Sequence, residues 1–228
     1  MIKTVFFDLD NTLWDFEKNS WEALHELFTH HDITSFAGVG FETFHKKYIE
    51  LNHYYWDLYS KHQIEKETLR VIRFRETLKY FSVNDTKVAD EMAEAYIAIS
   101  PYKKNLFPHS HEILQYLSGK YRLGLITNGF NEVQYIKIKS SGIDHYFEEM
   151  ITSENAGFQK PDKRIFEHAE IRLETDAHQC LIIGDNYDAD IAGAKNAGWQ
   201  AIYFDPKGEG PQTDVKKIAS LIELKNYL

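Results

Sequence analysis

Four short stretches of the chain carry side chains whose types and spacing could do chemistry. Asp8-Leu9-Asp10-Asn11-Thr12 sets two carboxylates two residues apart, which suits a nucleophile and a separate acid/base. Thr127-Asn128-Gly129 offers a hydroxyl and the main-chain N–H groups of a turn. Lys160, before Pro161-Asp162, offers an ammonium, and Gly184-Asp185-Asn186-Tyr187-Asp188-Ala189-Asp190 offers further carboxylates. Asp8, Asp10 and Asp185 gathered in one place would repel one another unless a cation were present. Oxygen ligands without His or Cys at matching spacing favour Mg²⁺. A magnesium ion, a lysine and main-chain N–H groups near residues 127–129 would cradle a phosphoryl group. Alone, each stretch is an ordinary loop start or turn. Together, in this order, they read as a phosphoryl-transfer site.

The elements around these stretches explain how they could meet. Short apolar runs at 3–9, 121–126 and 179–183 end at the first, second and fourth stretches, and a weaker run at 149–152 leads through 153–159 to Lys160. A fifth run covers 199–204. Helical spacing separates them, at 110–117, 161–173, 188–197 and 214–224. This alternation calls for an α/β fold with a doubly wound, Rossmann-like parallel sheet, whose ligands bind at the carboxyl ends of the strands. Residues 15–100 break the alternation, with helical patterns at 17–30, 41–61, 66–81 and 85–99 and no convincing strand. The expected division is an α/β core of residues 1–14 and 101–228 with an all-helical insertion at 15–100. Twelve aromatics fall between Trp14 and Tyr59, enough to fill a small helical core or to line a pocket.

Composition narrows the function classes. The 228 residues carry 26 Lys and Arg against 35 Asp and Glu, a net charge of −9, which disfavours a nucleic-acid polymer as partner. Cys180 is the single cysteine, so neither an intramolecular disulfide nor a thiolate metal cage can form. No signal peptide is visible and no apolar stretch approaches the ~20 residues of a membrane span. The expectation is a cytoplasmic protein with no membrane partner.

On these motifs the chain resembles the haloacid dehalogenase-like hydrolases. Their Asp-x-Asp-x-Thr motif matches Asp8-Leu9-Asp10-Asn11-Thr12, their strand-ending Thr or Ser matches Thr127, and their Lys matches Lys160. Their Gly-Asp with a following Asp matches Gly184, Asp185 and Asp190. The resemblance implies a magnesium-dependent enzyme with an aspartyl-phosphate intermediate and a helical cap at 15–100. It makes Asp8 the nucleophile and Asp10 the acid/base. Asp8, the Asp10 carbonyl and Asp185 would be the metal ligands with Asp190 behind them, and Thr127, Asn128 and Lys160 the phosphoryl-binding groups. Asn186 departs from the Ser or Thr of many relatives. The carboxyl at Asp10 suits an ester oxygen as leaving group, so the resemblance implies a phosphatase rather than a dehalogenase. Thr127-Asn128-Gly129-Phe130, the segment 154–166 and the spacing of Tyr55-Trp56, Tyr59 and Ile64 resemble the bacterial pyrimidine 5′-nucleotidases of this family. That points to a nucleotide as the small phosphorylated substrate, with Tyr55, Trp56 and Tyr59 as its contacts. A sugar phosphate or phosphoglycolate is the alternative substrate. A phosphoacceptor signalling module is a remote alternative, since such modules are shorter and lack the helical insertion. His30-His31, His109 and His111 read as solvated, Cys180 as a buried hydrophobe, Asp188 as a helix cap, and Lys103, Lys104, Lys137 and Lys139 as surface charges.

Overall fold

β1 (Thr4–Phe7) is buried along its whole length and lies inside a sheet rather than at its edge. In the computed structural model, which describes residues 1–228, it pairs in parallel with β2 (Arg122–Thr127) on one side and β4 (Cys180–Gly184) on the other. β3 (Glu149–Thr152), β5 (Gln200–Phe204) and β6 (Lys216–Ile218) complete an all-parallel sheet in the order β3-β2-β1-β4-β5-β6. The chain winds outward from β1 through β2 and β3, then returns to begin again at β4. The order reverses between β1 and β4, which places the binding crevice at the carboxyl ends of those two strands.

Successive side chains of a strand face opposite ways, so each strand feeds two cores. Val5, Phe7, Leu125 and Ile183 pack with α6 (Ser110–Ser118), α7 (Asn131–Ser140) and the 3₁₀ segment Leu221–Asn226. Phe6, Ile126 and Ile182 pack with α9 (Lys163–Arg172) and α10 (Gly193–Asn196), and a one-turn helix, α8 (Ser153–Ala156), follows β3. The architecture is a Rossmann-like α/β core of three layers.

The chain divides into two units, Met1–Phe16 with Lys104–Leu228, and Glu17–Lys103. The second unit is helical, built from α1 (Phe16–His30, beyond its first residue), α2 (Ile33–Ala37), α3 (Phe41–Ser60), α4 (Lys66–Tyr80) and α5 (Thr86–Ile99). Its core holds Leu24, Phe28, Phe44, Tyr48, Phe74 and Met92, so three of the aromatics between Trp14 and Tyr59 serve packing here. Trp14 is buried in the α/β unit. No helix is long and apolar enough to cross a membrane.

Two expected helices are corrected. Residues 214–224 form β6 and a 3₁₀ segment, because Ile218 pairs beside Phe204 and a Ser220–Glu223 capping box starts a new turn. Residues 188–197 form a π-helical turn, Tyr187–Ala192, and then α10, capped by Asn186 rather than Asp188.

Phe6 is fully buried on a central strand, 4.6 Å from the Trp199 ring centroid. Phe6→Ala is expected to cost about 3–5 kcal/mol of unfolding free energy, read from urea denaturation, whereas a loss under about 1 kcal/mol would contradict this packing.

Candidate active site

At the end of β1 the chain turns sharply. The N–H of Asp8 donates to the carbonyl of Ile183 at 2.9 Å, tying the strand's exit to β4. Leu13 and Trp14 both donate to the carbonyl of Leu9, and Asn11 takes the left-handed conformation at φ 62°, which asparagine tolerates better than most residues. The turn directs the buried Thr12 hydroxyl at Asp185 Oδ1, 3.0 Å away. The threonine of the first motif therefore locks the aspartate of the fourth.

Lys160 sits in the crevice with its side chain 2% exposed. Its Nζ donates to Asp8 Oδ1 at 2.6 Å, to Asp190 Oδ1 at 2.6 Å and to the carbonyl of Ile126 at 2.7 Å. All three ammonium protons are thus engaged. Asn128 fixes the backbone that carries this lysine: its Oδ1 accepts from Lys160 N at 2.8 Å and its Nδ2 donates to Lys160 O at 2.9 Å. One proton of the Asn128 amide remains uncommitted by these contacts. Asp190 is held from its other oxygen by the N–H of Asn186 at 3.0 Å. Gly184 makes room for it, since a Cβ there would fall 2.3 Å from Asp190 Oδ2. That clash is the physical reason for glycine in the fourth motif.

Asp10 points away from this group, toward α7. Its carboxylate accepts from Lys137 Nζ at 2.6 and 2.9 Å and from Gln134 Nε2 at 2.9 Å. Lys137 was expected at the surface; the structure corrects this, burying it against Trp14 with Asp10 as its counter-charge. Gln134 was not singled out by the motifs at all. Its amide also donates to Thr127 Oγ1 at 2.6 Å, and Gly129 N donates to the same hydroxyl at 3.2 Å. Accepting twice, the Thr127 hydroxyl keeps its own proton free to donate.

Asp8, Asp185 and Asp190 each offer a carboxylate oxygen, and these oxygens lie within 4.8 Å of one another. Burial pushes the Asp8 carboxyl up to about 7 against the pull of Lys160, with Asp190 adding to the rise. Burial, then Asp8 and Asp190, push Asp185 up to about 8. Burial alone would lower the Lys160 ammonium, but Asp190 and Asp8 outweigh it and hold it above the ordinary lysine range. Three carboxylates thus face one ammonium in a poorly solvated crevice. Hard oxygen donors with an unbalanced negative charge fit a small divalent cation.

Tyr55, Trp56 and Tyr59 are half-buried on α3, outside the buried core of the helical unit, with Trp56 and Tyr59 in edge-to-face contact at 5.6 Å. Cys180 is buried at the start of β4, where burial pushes its thiol up to about 12, far from a reactive thiolate. Asp188 is exposed, and His109 is exposed beside Glu112.

The family model of the haloacid dehalogenase-like hydrolases matches residues 2–198. The pyrimidine 5′-nucleotidase YjjG of Escherichia coli is 28% identical over 227 residues, covering 96% of each chain. The glyceraldehyde 3-phosphate phosphatase of Pyrococcus abyssi is 32% identical over 209 residues, 90% of this chain and 82% of that one. The crystal structure of YfnB from Bacillus subtilis bound to magnesium is similar at a TM-score of 0.89 and 26% identity, covering 100% of this chain and 98% of the other.

The raised carboxyls make stability depend on pH with a definite sign. Folded Asp8 and Asp185 keep their protons to higher pH than the ordinary 3.8, so unfolding releases protons between that value and about 8. Stability contributed by these groups therefore falls as pH rises through that window. Thermal denaturation of the metal-free protein is expected to show a midpoint that falls between pH 5 and pH 8. Asp185→Asn should flatten the fall, and Mg²⁺ should raise the midpoint more at pH 8 than at pH 5. A midpoint indifferent to Mg²⁺ at both pH values would contradict this electrostatic account.

Proposed function

This chain belongs to the haloacid dehalogenase-like hydrolases, and on that premise we propose that it is a magnesium-dependent phosphomonoesterase acting on pyrimidine nucleoside 5′-monophosphates through an aspartyl-phosphate. The observation that carries the reading is the state of Asp8. It stands at the end of a buried strand beside the reversal of strand order, with Oδ1 fixed by Lys160 and Oδ2 left open. A carboxylate held on a rigid element by one oxygen can aim the other at phosphorus.

Oδ2 of Asp8 attacks the phosphorus, the bond from phosphorus to the ester oxygen breaks, and Asp10 gives that oxygen its proton. Asp10, now a carboxylate, takes a proton from water as the water oxygen attacks the aspartyl-phosphate, releasing phosphate and restoring Asp8. Thr127 donates its free hydroxyl proton to a phosphoryl oxygen, Asn128 has a spare amide proton for the same task, and Lys160 supplies positive charge beside the nucleophile. Asp8, Asp185 and the Asp10 carbonyl would hold Mg²⁺, with Asp190 behind them, and the ion would supply neutralisation of phosphoryl charge. Two carboxyls in different surroundings thereby take different tasks.

The substrate reading is supported by the nucleotidase relative and by aromatics suited to stacking on a base, for which Tyr55, Trp56 and Tyr59 are the proposed contacts. A second reading, a small sugar phosphate, is favoured by the relative from Pyrococcus abyssi.

Asp8→Asn is expected to abolish turnover with the fold intact. Asp10→Asn should lower kcat/KM, which reports the first half-reaction, by ~10²–10⁴-fold for nucleotides and much less for an aryl phosphate, whose leaving group needs no proton. Equal losses in kcat/KM for both substrate types would remove Asp10 from protonating the leaving oxygen. With Mg²⁺ present, kcat/KM should be higher for pyrimidine 5′-monophosphates than for glyceraldehyde 3-phosphate. Trp56→Ala should narrow that gap by about 1–3 kcal/mol. The reverse preference would sink the nucleotidase reading and leave the phosphatase standing.

A further inference from the structure

The acid/base carboxylate is gripped from α7 by residues that belong to none of the four motifs. We infer that Lys137, together with Gln134, is the positioning residue that aims Asp10 at the leaving oxygen; the inference rests on the acid/base role proposed for Asp10.

Both oxygens of Asp10 are engaged, Oδ1 by Lys137 at 2.6 Å and Oδ2 by Lys137 at 2.9 Å and Gln134 at 2.9 Å. Donors on both oxygens fix the plane of the carboxylate as well as its place. Asp10 nevertheless stays 28% exposed, whereas Lys137 is only 7% exposed, so the grip comes from the buried side and the carboxyl keeps an open edge. Lys137 is itself held, its Nζ lying 4.3 Å from the centre of the Trp14 ring and 5.9 Å from that of Phe16.

Gln134 and Lys137 are three residues apart, so they share one face of α7 and reach the same target. The Gln134 amide also donates to Thr127, which fixes that hydroxyl as an acceptor and frees its proton for a phosphoryl oxygen. One helical turn thus sets the distance between the acid/base and a phosphoryl-binding group. The arrangement has a cost: Gln134 Oε1 is buried with no hydrogen-bond partner. It also requires Gly129, where a Cβ would fall 2.2 Å from Gln134 Nε2. Packing alone does not call for a lysine at 137, since a methionine could lie against Trp14 without burying a charge. Through both half-reactions Lys137 keeps its proton and one oxygen of Asp10, while the other oxygen gives and takes the transferred proton.

The test uses the full-length protein with Mg²⁺. Lys137→Met should lower kcat/KM for a nucleoside monophosphate ~10²-fold, the scale of an ångström of misplacement, while an aryl phosphate loses no more than about threefold in kcat/KM. Inhibition by inorganic phosphate should stay as it is, and Lys137→Arg should recover most of the lost rate. In an Asp10→Asn background Lys137→Met should add little further loss, because the two residues act as one unit. Losses in kcat/KM that are equal for both substrate types, that multiply with Asp10→Asn, or that appear as weaker phosphate inhibition would overturn the inference. If Asp10→Asn itself turns over nucleotides normally, the acid/base reading has failed instead. Should Lys137→Met not fold, Lys137→Gln carries the same comparison, with the same outcomes deciding it.

Discussion

The buried ammonium of Lys160 is the constraint around which the crevice is built. A lone buried ammonium would cost several kcal/mol, so its three protons must each find an acceptor. They find them on three separate segments: Asp8 after β1, Ile126 in β2 and Asp190 beyond β4. Those strands are neighbours only because the order reverses between β1 and β4. Asn128 pins the backbone of Lys160, and Gly184 lets Asp190 come close enough to share the charge. Asp8 and Asp190 share the one ammonium, which ties the edge of the sheet to the placement of the Asp8 carboxyl.

Asp10 is only two residues from Asp8, yet it answers to a different cation. Asp8 faces Lys160 among carboxylates, and burial raises its carboxyl. Asp10 faces Lys137 and Gln134 and is far more exposed than its lysine partner. The sharp turn after Leu9 separates the two surroundings, and the proposed mechanism, in which one carboxyl attacks and the other moves protons, depends on that separation. The same crowding that raises Asp8 and Asp185 makes a divalent cation the natural completion of the site.

Much of this could be read from residue types. The five expected strands are present, and the four chemical stretches leave β1, β2, the segment after β3, and β4 at one edge of the sheet. Strand runs and strand-end motifs are local signals, and they survive folding because buried parallel strands tolerate little else. Lys137 was not legible, because a lysine in a short polar helix ordinarily lies in water. The available signal was its spacing: Gln134, Lys137 and Ile138 share the buried face of α7, and Gly129 leaves the room Gln134 needs. Residues 214–224 misled for a related reason. Val215, Ile218, Leu221 and Ile222 have helical spacing, but pairing with β5 makes a short edge strand of the first part, a tertiary effect that spacing does not encode. Half-buried Tyr55, Trp56 and Tyr59 illustrate the same limit, since an aromatic on a helix reads alike whether it packs or binds.

The proposed mechanism requires Asp8 to carry the phosphoryl group during turnover. The direct measurement is acid quench of the Asp10→Asn variant during reaction with an aryl phosphate and Mg²⁺, followed by peptide mass mapping. Without its base for the second half-reaction, the variant should accumulate one phosphoryl group per chain, on the peptide containing residue 8 and removable by mild alkali. Steady release of inorganic phosphate with no phosphoryl group on that peptide at any quench time would contradict the covalent mechanism.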